Sequence, residues 1–525
     1  MSKTKYSEGD KGGNKRRKER DEVIRSKSAP SARNERRKCD IDRSGDINDA
    51  SYYFLNDDLK RQVTNISFNQ FNGVSNDLGY ALDENGVLQP VYDGVPYIMR
   101  IVTSPSAGYT FGDDYTALGN GVNLAALNLY TLLSSNNAKT TNYAPQDLTT
   151  LLLALGSFIE LTSYVTRFFG MTSLYNYRNR AFPKAMIEAA GCDYDDLMSS
   201  LADYRVRFNN ILVSAAKIPI PQNIPYFKKC SEMYQGLYQD MVGSSMAQLY
   251  ILVPGTVWRL EEQYSSDGTG LSTLRVMQGT TVEAPVLTMS DLLERLEDML
   301  GALLNSSTLN AIYSDILRVA TKENIPLMQF SMVDESYVIL PNYVPEIRLW
   351  INNLTIMGYP ATAGPEGFTY TRDNDVVPSA EYNRIKYAPI FEFATGTPML
   401  NQYINFDYEN PDANDIVYSM KLKTGIQLQK EGTRFWTTAV ALPDHYVNEL
   451  WVYRSSGWVQ IIKSSFDVSS GDVEVCSAFD WYPIFYNRYG SSFTSIGDLN
   501  FYTTVDFNYL KRLHDTEYLG LLTIR

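Results

Sequence analysis

Apolar positions recur at helical spacing through the middle of this 525-residue chain, and the pattern changes twice. Leu197, Leu201, Tyr204, Phe208, Ile211 and Ala215 follow one another at steps of four and three. That spacing keeps them on one face of a helix, which predicts a single helix over about 193–217. Asp193, Asp195 and Asp196 suit its N-terminus, and Pro219 and Pro221 stop it. Leu292, Leu293, Leu296, Leu300, Leu303 and Leu304 predict a second helix from Ser290, with a third over about 309–322. Pro145-Gln146-Asp147 opens a helix running to Phe169, with Gly170 after it. Its run Leu151 to Ile159 is the longest apolar stretch, broken by Gly156 and Ser157 and followed by Glu160 and Arg167. A membrane span needs about 20 mostly apolar residues, so this reads as a buried helix. Pro183 starts another helix ending at Gly191, and Pro225 to Leu249 reads as helix weakened by Gly236 and Gly243.

Between 250 and 287 the period shortens. Tyr250 to Val253 and Val257 to Leu260 read as strands, and Ser266 to Gly270 as a turn from which Thr273 to Met277 returns as a hairpin. From about Met328, proline, glycine, β-branched and aromatic residues dominate. Five of the six tryptophans lie there: Trp350, Trp436, Trp451, Trp458 and Trp481. Leu450 to Tyr453 and Trp458 to Ile462, joined through Ser455-Ser456-Gly457, predict a second hairpin. The expected class is α+β, with residues 46–327 mainly helical and residues 328–525 mixed and β-rich.

Residues 1–45 obey neither period. Lys3, Lys5, Lys11, Lys15, Arg16, Arg17, Lys18, Arg20, Arg25, Lys27, Arg33, Arg36, Arg37 and Lys38 stand against Glu8, Asp10, Glu19, Asp21, Glu22 and Glu35. Fourteen cations and six anions give the first 38 residues a net charge of +8. The whole chain carries −13, which leaves −21 for residues 39–525. An arm with so little apolar surface is expected to be disordered. Its cations are the candidate nucleic-acid-binding residues, because tethered Lys and Arg neutralise phosphates and release counterions. A solvated tail without a partner and a nuclear-localisation patch are the alternative readings.

Chemistry is sparse. His445 and His514 are the only histidines, and Asp444-His445 after Pro443 reads as a surface loop. Cys39, Cys192, Cys230 and Cys476 have no zinc spacing and no need for disulfides at this size. No Walker loop, dinucleotide glycine motif, HExxH or Gly-x-Ser-x-Gly occurs. The charged N-terminus has no apolar core of a signal peptide, so the sequons at Asn65, Asn305 and Asn353 are expected to be idle. Gly112-Asp113-Asp114 resembles the metal-binding turn of RNA-dependent RNA polymerases, but only about 110 residues precede it and a third of those are the arm. Asp407, Glu409, Asp412, Asn414 and Asp415 lack EF-hand spacing and read as a solvated turn. Neither a catalytic residue, a metal ligand set nor a cofactor is expected. The 38 tyrosines, with apolar faces and polar tips, suit extensive protein contacts as well as ordinary half-buried packing. A His-poor, Tyr-rich body behind a basic arm points to a structural protein that packages nucleic acid.

The stretch Asn128-Leu129-Tyr130-Thr131-Leu132-Leu133-Ser134-Ser135-Asn136-Asn137, then Tyr143-Ala144-Pro145-Gln146-Asp147-Leu148 and the helix to Phe168-Phe169-Gly170, resembles picobirnavirus capsid proteins. The order of basic arm, helix-rich middle and Tyr-rich remainder resembles them too. The resemblance implies a predominantly α-helical shell domain, a β-richer protruding part, and a C-terminal return to the shell. It further implies homodimers assembling into an icosahedral shell around double-stranded RNA, with the arm inside and subject to maturation cleavage. A place in the virion, assembly in the host cytoplasm and contact with a membrane as the virus enters the cell also follow from it. Two other classes stay open at this point: a non-viral RNA-binding scaffold, and an enzyme with an unrecognised carboxylate site.

Overall fold

The computed structural model describes residues 56–59, 79–82, 88–91 and 96–524, the last range with gaps at 110–119, 137–140, 175–181, 243–246, 263–267, 278–285, 362–374, 380–382, 394–400, 432–433, 455–456, 467, 490–491 and 497–498. The basic arm, Cys39, the sequon at Asn65 and Gly112-Asp113-Asp114 lie outside the described residues. The chain divides into two units, Met1–Asn69 and Gln70–Arg525. In the first, residues 57–59 form a helical turn whose Asp58 and Leu59 amides donate to Asn56 Oδ1.

The second unit is mixed α and β, as expected. Its helices, in chain order, are α1 (Gly121–Asn136), α2 (Pro145–Met171), α3 (Phe182–Ala190), α4 (Tyr194–Ser199), α5 (Leu201–Ala215), α6 (Pro225–Gln235), α7 (Met289–Asn305), α8 (Ser307–Glu323), α9 (Pro345–Asn353), α10 (Ala413–Met420), α11 (Ser470–Cys476) and α12 (Phe507–Leu521). Helix α2 is the hub. Pro145 sits in its first turn, where the missing N–H costs nothing. The Asp147 carboxylate accepts the Ala144 amide at the helix start. Every residue of α2 except Thr166 is buried. It is long and apolar enough to cross a membrane by length and composition, yet the fold wraps it on all sides. Arg167 is buried with it and donates from Nη1 to the carbonyl of Leu252 at 2.8 Å.

Gly156 sets how closely α6 approaches α2. A Cβ there would lie 2.3 Å from Tyr226 Cε1, and the Tyr226 ring is itself fully buried. Gly156→Ala is therefore expected to destabilise by about 1–3 kcal/mol through overpacking, less the roughly 1 kcal/mol that alanine returns in helix propensity. The urea midpoint measures it, and an unchanged or raised midpoint would mean the ring yields freely.

The strands are numbered in the same way. The central sheet runs β15 (Gly457–Ile462), β14 (His445–Arg454), β3 (Ile98–Pro105), β5 (Leu249–Pro254) and β4 (Tyr238–Gln239). Strands β3 and β5 are parallel, pairing Ile98 with Leu249 through Thr103 with Pro254, and the other pairs are antiparallel. All eight residues of β3 are buried, as befits a central strand covered on both faces. This sheet joins strands from residues 98–254 to strands from residues 445–462. There are also two-stranded ribbons: β1 (Gly79–Leu82) with β2 (Leu88–Val91), β6 (Thr256–Glu261) with β7 (Gly270–Arg275), and β8 (Val377–Ser379) with β9 (Arg384–Lys386). Beyond them β13 (Arg434–Ala441) lies between β10 (Glu392–Phe393) and β12 (Gly425–Glu431). Finally β11 (Asn401–Phe406) pairs with β18 (Phe501–Asp506), and β16 (Phe485–Tyr489) with β17 (Ser492–Ile496).

Both predicted hairpins form, as β6–β7 and β14–β15. Two predicted helices are shorter than expected. The segment 193–217 breaks at Ser200, whose backbone leaves the helical region at φ −139° and ψ 31°. Ser199 turns its hydroxyl back to the Asp196 carbonyl there, the local competition that makes serine a weak helix former. The break shifts the phase, so Leu197 and Phe208 are buried while Leu201 is only half-buried. The second helix ends at Gln235 rather than near Leu249. Gly236 is extended, and a Cβ on it would meet the Tyr238 ring at 2.6 Å. The chain then enters β4 and, from Leu249, β5.

Candidate functional site

A dense group of ionisable side chains lies in the core. Glu160 comes from the middle of α2, Lys229 and Cys230 from α6, and Asp444 and His445 from the start of β14. The expectation that His445 sits in a surface loop is wrong. It is fully buried and pairs with Pro105 across the central sheet. The cause is non-local, since β14 inserts between β3 and β15 and takes the Pro443-Asp444 approach inside with it. Backbone bonds pin this corner. The Ser106 amide donates to the Asp444 carbonyl at 2.8 Å, and the Tyr518 hydroxyl of α12 reaches the carbonyls of Ser106 and Pro443 at 3.0 and 2.9 Å.

The side chains form a line. Lys229 Nζ donates to Asp444 Oδ1 in a short ion pair. Asp444 Oδ2 lies 3.2 Å from His445 Nδ1, and His445 Nε2 lies 2.9 Å from Glu160 Oε1. Tyr234 packs edge-on to the imidazole and shares a 2.7 Å hydrogen bond with Thr103 of β3. A second buried pair, Lys421 with Glu517, stands close enough to act on Lys229 and Asp444.

Burial alone would raise the Asp444 carboxyl, but Lys229 and His445 outweigh it and hold it well below the usual carboxylate range. Burial likewise works against charge on His445, and Glu160 and Asp444 overcome it, holding the imidazole up at about 9. With His445 protonated, the two cations balance the two carboxylates. Cys230 behaves differently. Burial and then the Glu160 charge push its thiol far up.

Cysteine, histidine and aspartate in a row suggest a nucleophile, its base and an orienting acid. The thiol is nevertheless fully buried and held protonated, the reverse of an activated cysteine. What the trio does offer is ligand atoms. Single donor atoms of Glu160, Cys230 and His445 lie within 4.8 Å of one another.

Family comparison fits this architecture. The picobirnavirus capsid protein family matches the chain over residues 52–442. The chain belongs to that family. The capsid protein precursor of a human picobirnavirus (strain Human/Thailand/Hy005102) is 23% identical over 506 residues, spanning 89% of this chain and 89% of its own length. The crystal structure of the picobirnavirus capsid superposes with a TM-score of 0.72 at 18% identity, covering 90% of this chain and 98% of that one, and so shares the fold.

In this picobirnavirus capsid protein the fourteen arm cations, expected to bind nucleic acid, lie outside the described residues. The acidic loop at 407–415 is local structure. Asp412 caps α10 by accepting from Asn414 and Asp415, and Asp407 pairs with Arg348 at 3.1 Å. The buried charge cluster was missed because its members lie at positions 160, 229, 230, 444 and 445. The available signal was Glu160 itself, a carboxylate directly after the longest apolar run of the capsid protein.

Proposed function

We propose that this capsid protein self-associates as two-fold dimers, closes into an icosahedral shell, and packages double-stranded RNA through residues 1–45. The charge split carries the reading: +8 on the first 38 residues against −21 on the remainder. An acidic body repels RNA, so a tethered cationic arm is where attraction resides. Its contacts are to phosphates, since fourteen cations stand beside a single aromatic side chain, Tyr6, for stacking. Exposed Val206 and Val213, one heptad apart on α5, are apolar side chains that subunit contacts would cover. Residues 46–327 build the shell, and residues 328–525 hold the protruding part and a return to the shell. Assembly in the host cytoplasm and a membrane encounter as the virus enters the cell belong to the same reading.

Deleting residues 1–45 tests it. Sedimentation should still give dimers, and electron microscopy closed particles. The ultraviolet absorbance ratio of those particles should fall to that of protein nearly free of RNA. Full-length particles should lose RNA affinity steeply as salt rises. Equal RNA content with and without the arm would exclude it as the packaging element, and a stable monomer at micromolar concentration would count against the shell.

A further inference from the structure

We propose that Glu160, Cys230 and His445 form a structural zinc site that ties α2 and α6 to the start of β14. The three donors are a carboxylate, a thiol and an imidazole, a set that selects zinc over magnesium or calcium. They come from three separate elements of the core and are fully buried. Their donor atoms lie within 4.8 Å of one another, and the histidine–glutamate pair is at 2.9 Å. Tetrahedral zinc, with bonds of about 2.0–2.3 Å, keeps its ligands about 3.3–3.8 Å apart. The widest separation therefore needs to close by only about 1 Å, within reach of side-chain torsions.

Two further observations point to a ligand. Glu160 Oε2 is buried and accepts no hydrogen bond of good geometry, with only the Cys230 thiol close to the carboxylate. A bare carboxylate oxygen in the core is costly, and a metal chelated by both carboxylate oxygens, in a distorted four-coordinate site, would satisfy it. The other is the second shell. A ligating histidine normally gives its remaining N–H to a carboxylate, which fixes the ring and its tautomer. Asp444 Oδ2 already stands 3.2 Å from His445 Nδ1, and Lys229 holds Asp444 in place. Nε2 faces Glu160 at 2.9 Å, and loss of its proton turns that contact into a ligand pair.

Binding conserves charge. The divalent ion enters as the Cys230 thiol and the imidazolium each release a proton, so the buried cluster keeps its net charge. Three fully buried ligands fit a structural ion acquired during folding. Such an ion would brace the subunit from within, coupling metal supply to the yield of assembly-competent protein.

The full chain should be produced in cells supplied with Zn²⁺ and, separately, with Co²⁺, then freed of loosely held metal with a chelator. Elemental analysis should give about one zinc per chain, and the cobalt protein should show a thiolate-to-cobalt charge-transfer band. Cys230→Ser should lose that band, while Cys476→Ser, which removes another buried cysteine, should keep it. Folded wild-type chain carrying under about a tenth of an ion from either medium would overturn the proposal, and so would a band that survives in Cys230→Ser. If Cys230→Ser does not fold, the metal content of the wild-type chain decides alone.

Discussion

In the metal-free chain, Asp444→Asn should lower stability by about 3–5 kcal/mol, far more than an ordinary polar substitution. The side chain is almost the same size, so packing is not the cause. Asp444 is 2% exposed and takes both the Lys229 ammonium and the His445 Nδ1 side of the imidazole. An amide in its place removes the charge that keeps those two cations tolerable in the core. Breaking a buried pair from one side is costly because the remaining charge has nowhere to go. Replacing both partners is not, and Lys229→Met combined with Asp444→Asn should recover much of the loss. The urea midpoints of the two single variants and the double form a cycle that isolates the coupling. A wild-type midpoint in Asp444→Asn would show that this charge line contributes nothing to folding.

What could be read from the chain depended on whether the cause was local. Leu292, Leu293, Leu296, Leu300 and Leu303 are all buried on α7, because a helical stripe within 17 residues carries its own evidence. The β6–β7 and β14–β15 hairpins were legible for the same reason: their turns and alternating residues are neighbours in sequence. The interruption at Ser200 was not, since a single serine inside an otherwise intact stripe changes the phase without changing the pattern. Nor was the stop at Gly236, which depends on the Tyr238 ring folding back. His445 was misread because its burial is decided by β3, some 340 residues earlier, accepting β14 as its neighbour. The charge cluster shares that cause, being assembled from α2, α6 and β14 with no spacing to announce it. The arm is the opposite case. Its charge needs no fold to be read, and so the packaging proposal rests on sequence while the zinc proposal rests on structure.

Lys423 should make the subunit less stable at neutral pH than at alkaline pH. It lies in the core, 1% exposed, with Nζ 3.4 Å from the Tyr486 hydroxyl, and among the described residues no carboxylate pairs with it. Burial pulls its ammonium down from the ordinary 10.5 to about 7. Between about pH 7 and 10.5 the unfolded chain therefore binds more protons at this site than the folded one, and stability rises with pH. Below about pH 7 both states are charged and the full penalty of a buried ammonium stands, on the order of a few kcal/mol. In the metal-free chain His445 works against this. Its imidazole is held up at about 9, so its contribution is complete below about pH 6.5 and lost as pH rises through about 9. The wild-type curve is the sum of opposing slopes, and only a difference separates them. Lys423→Met keeps the length of the side chain, removes the charge, and leaves the Lys423 carbonyl free to accept from His514 Nε2 as before. The variant should be more stable than wild type at pH 6, by a margin that shrinks steadily toward pH 10. Denaturation midpoints of both proteins across that range measure it. A constant margin would mean that Lys423 does not change its protonation on folding, and a destabilised variant would mean that its charge is compensated in the core after all.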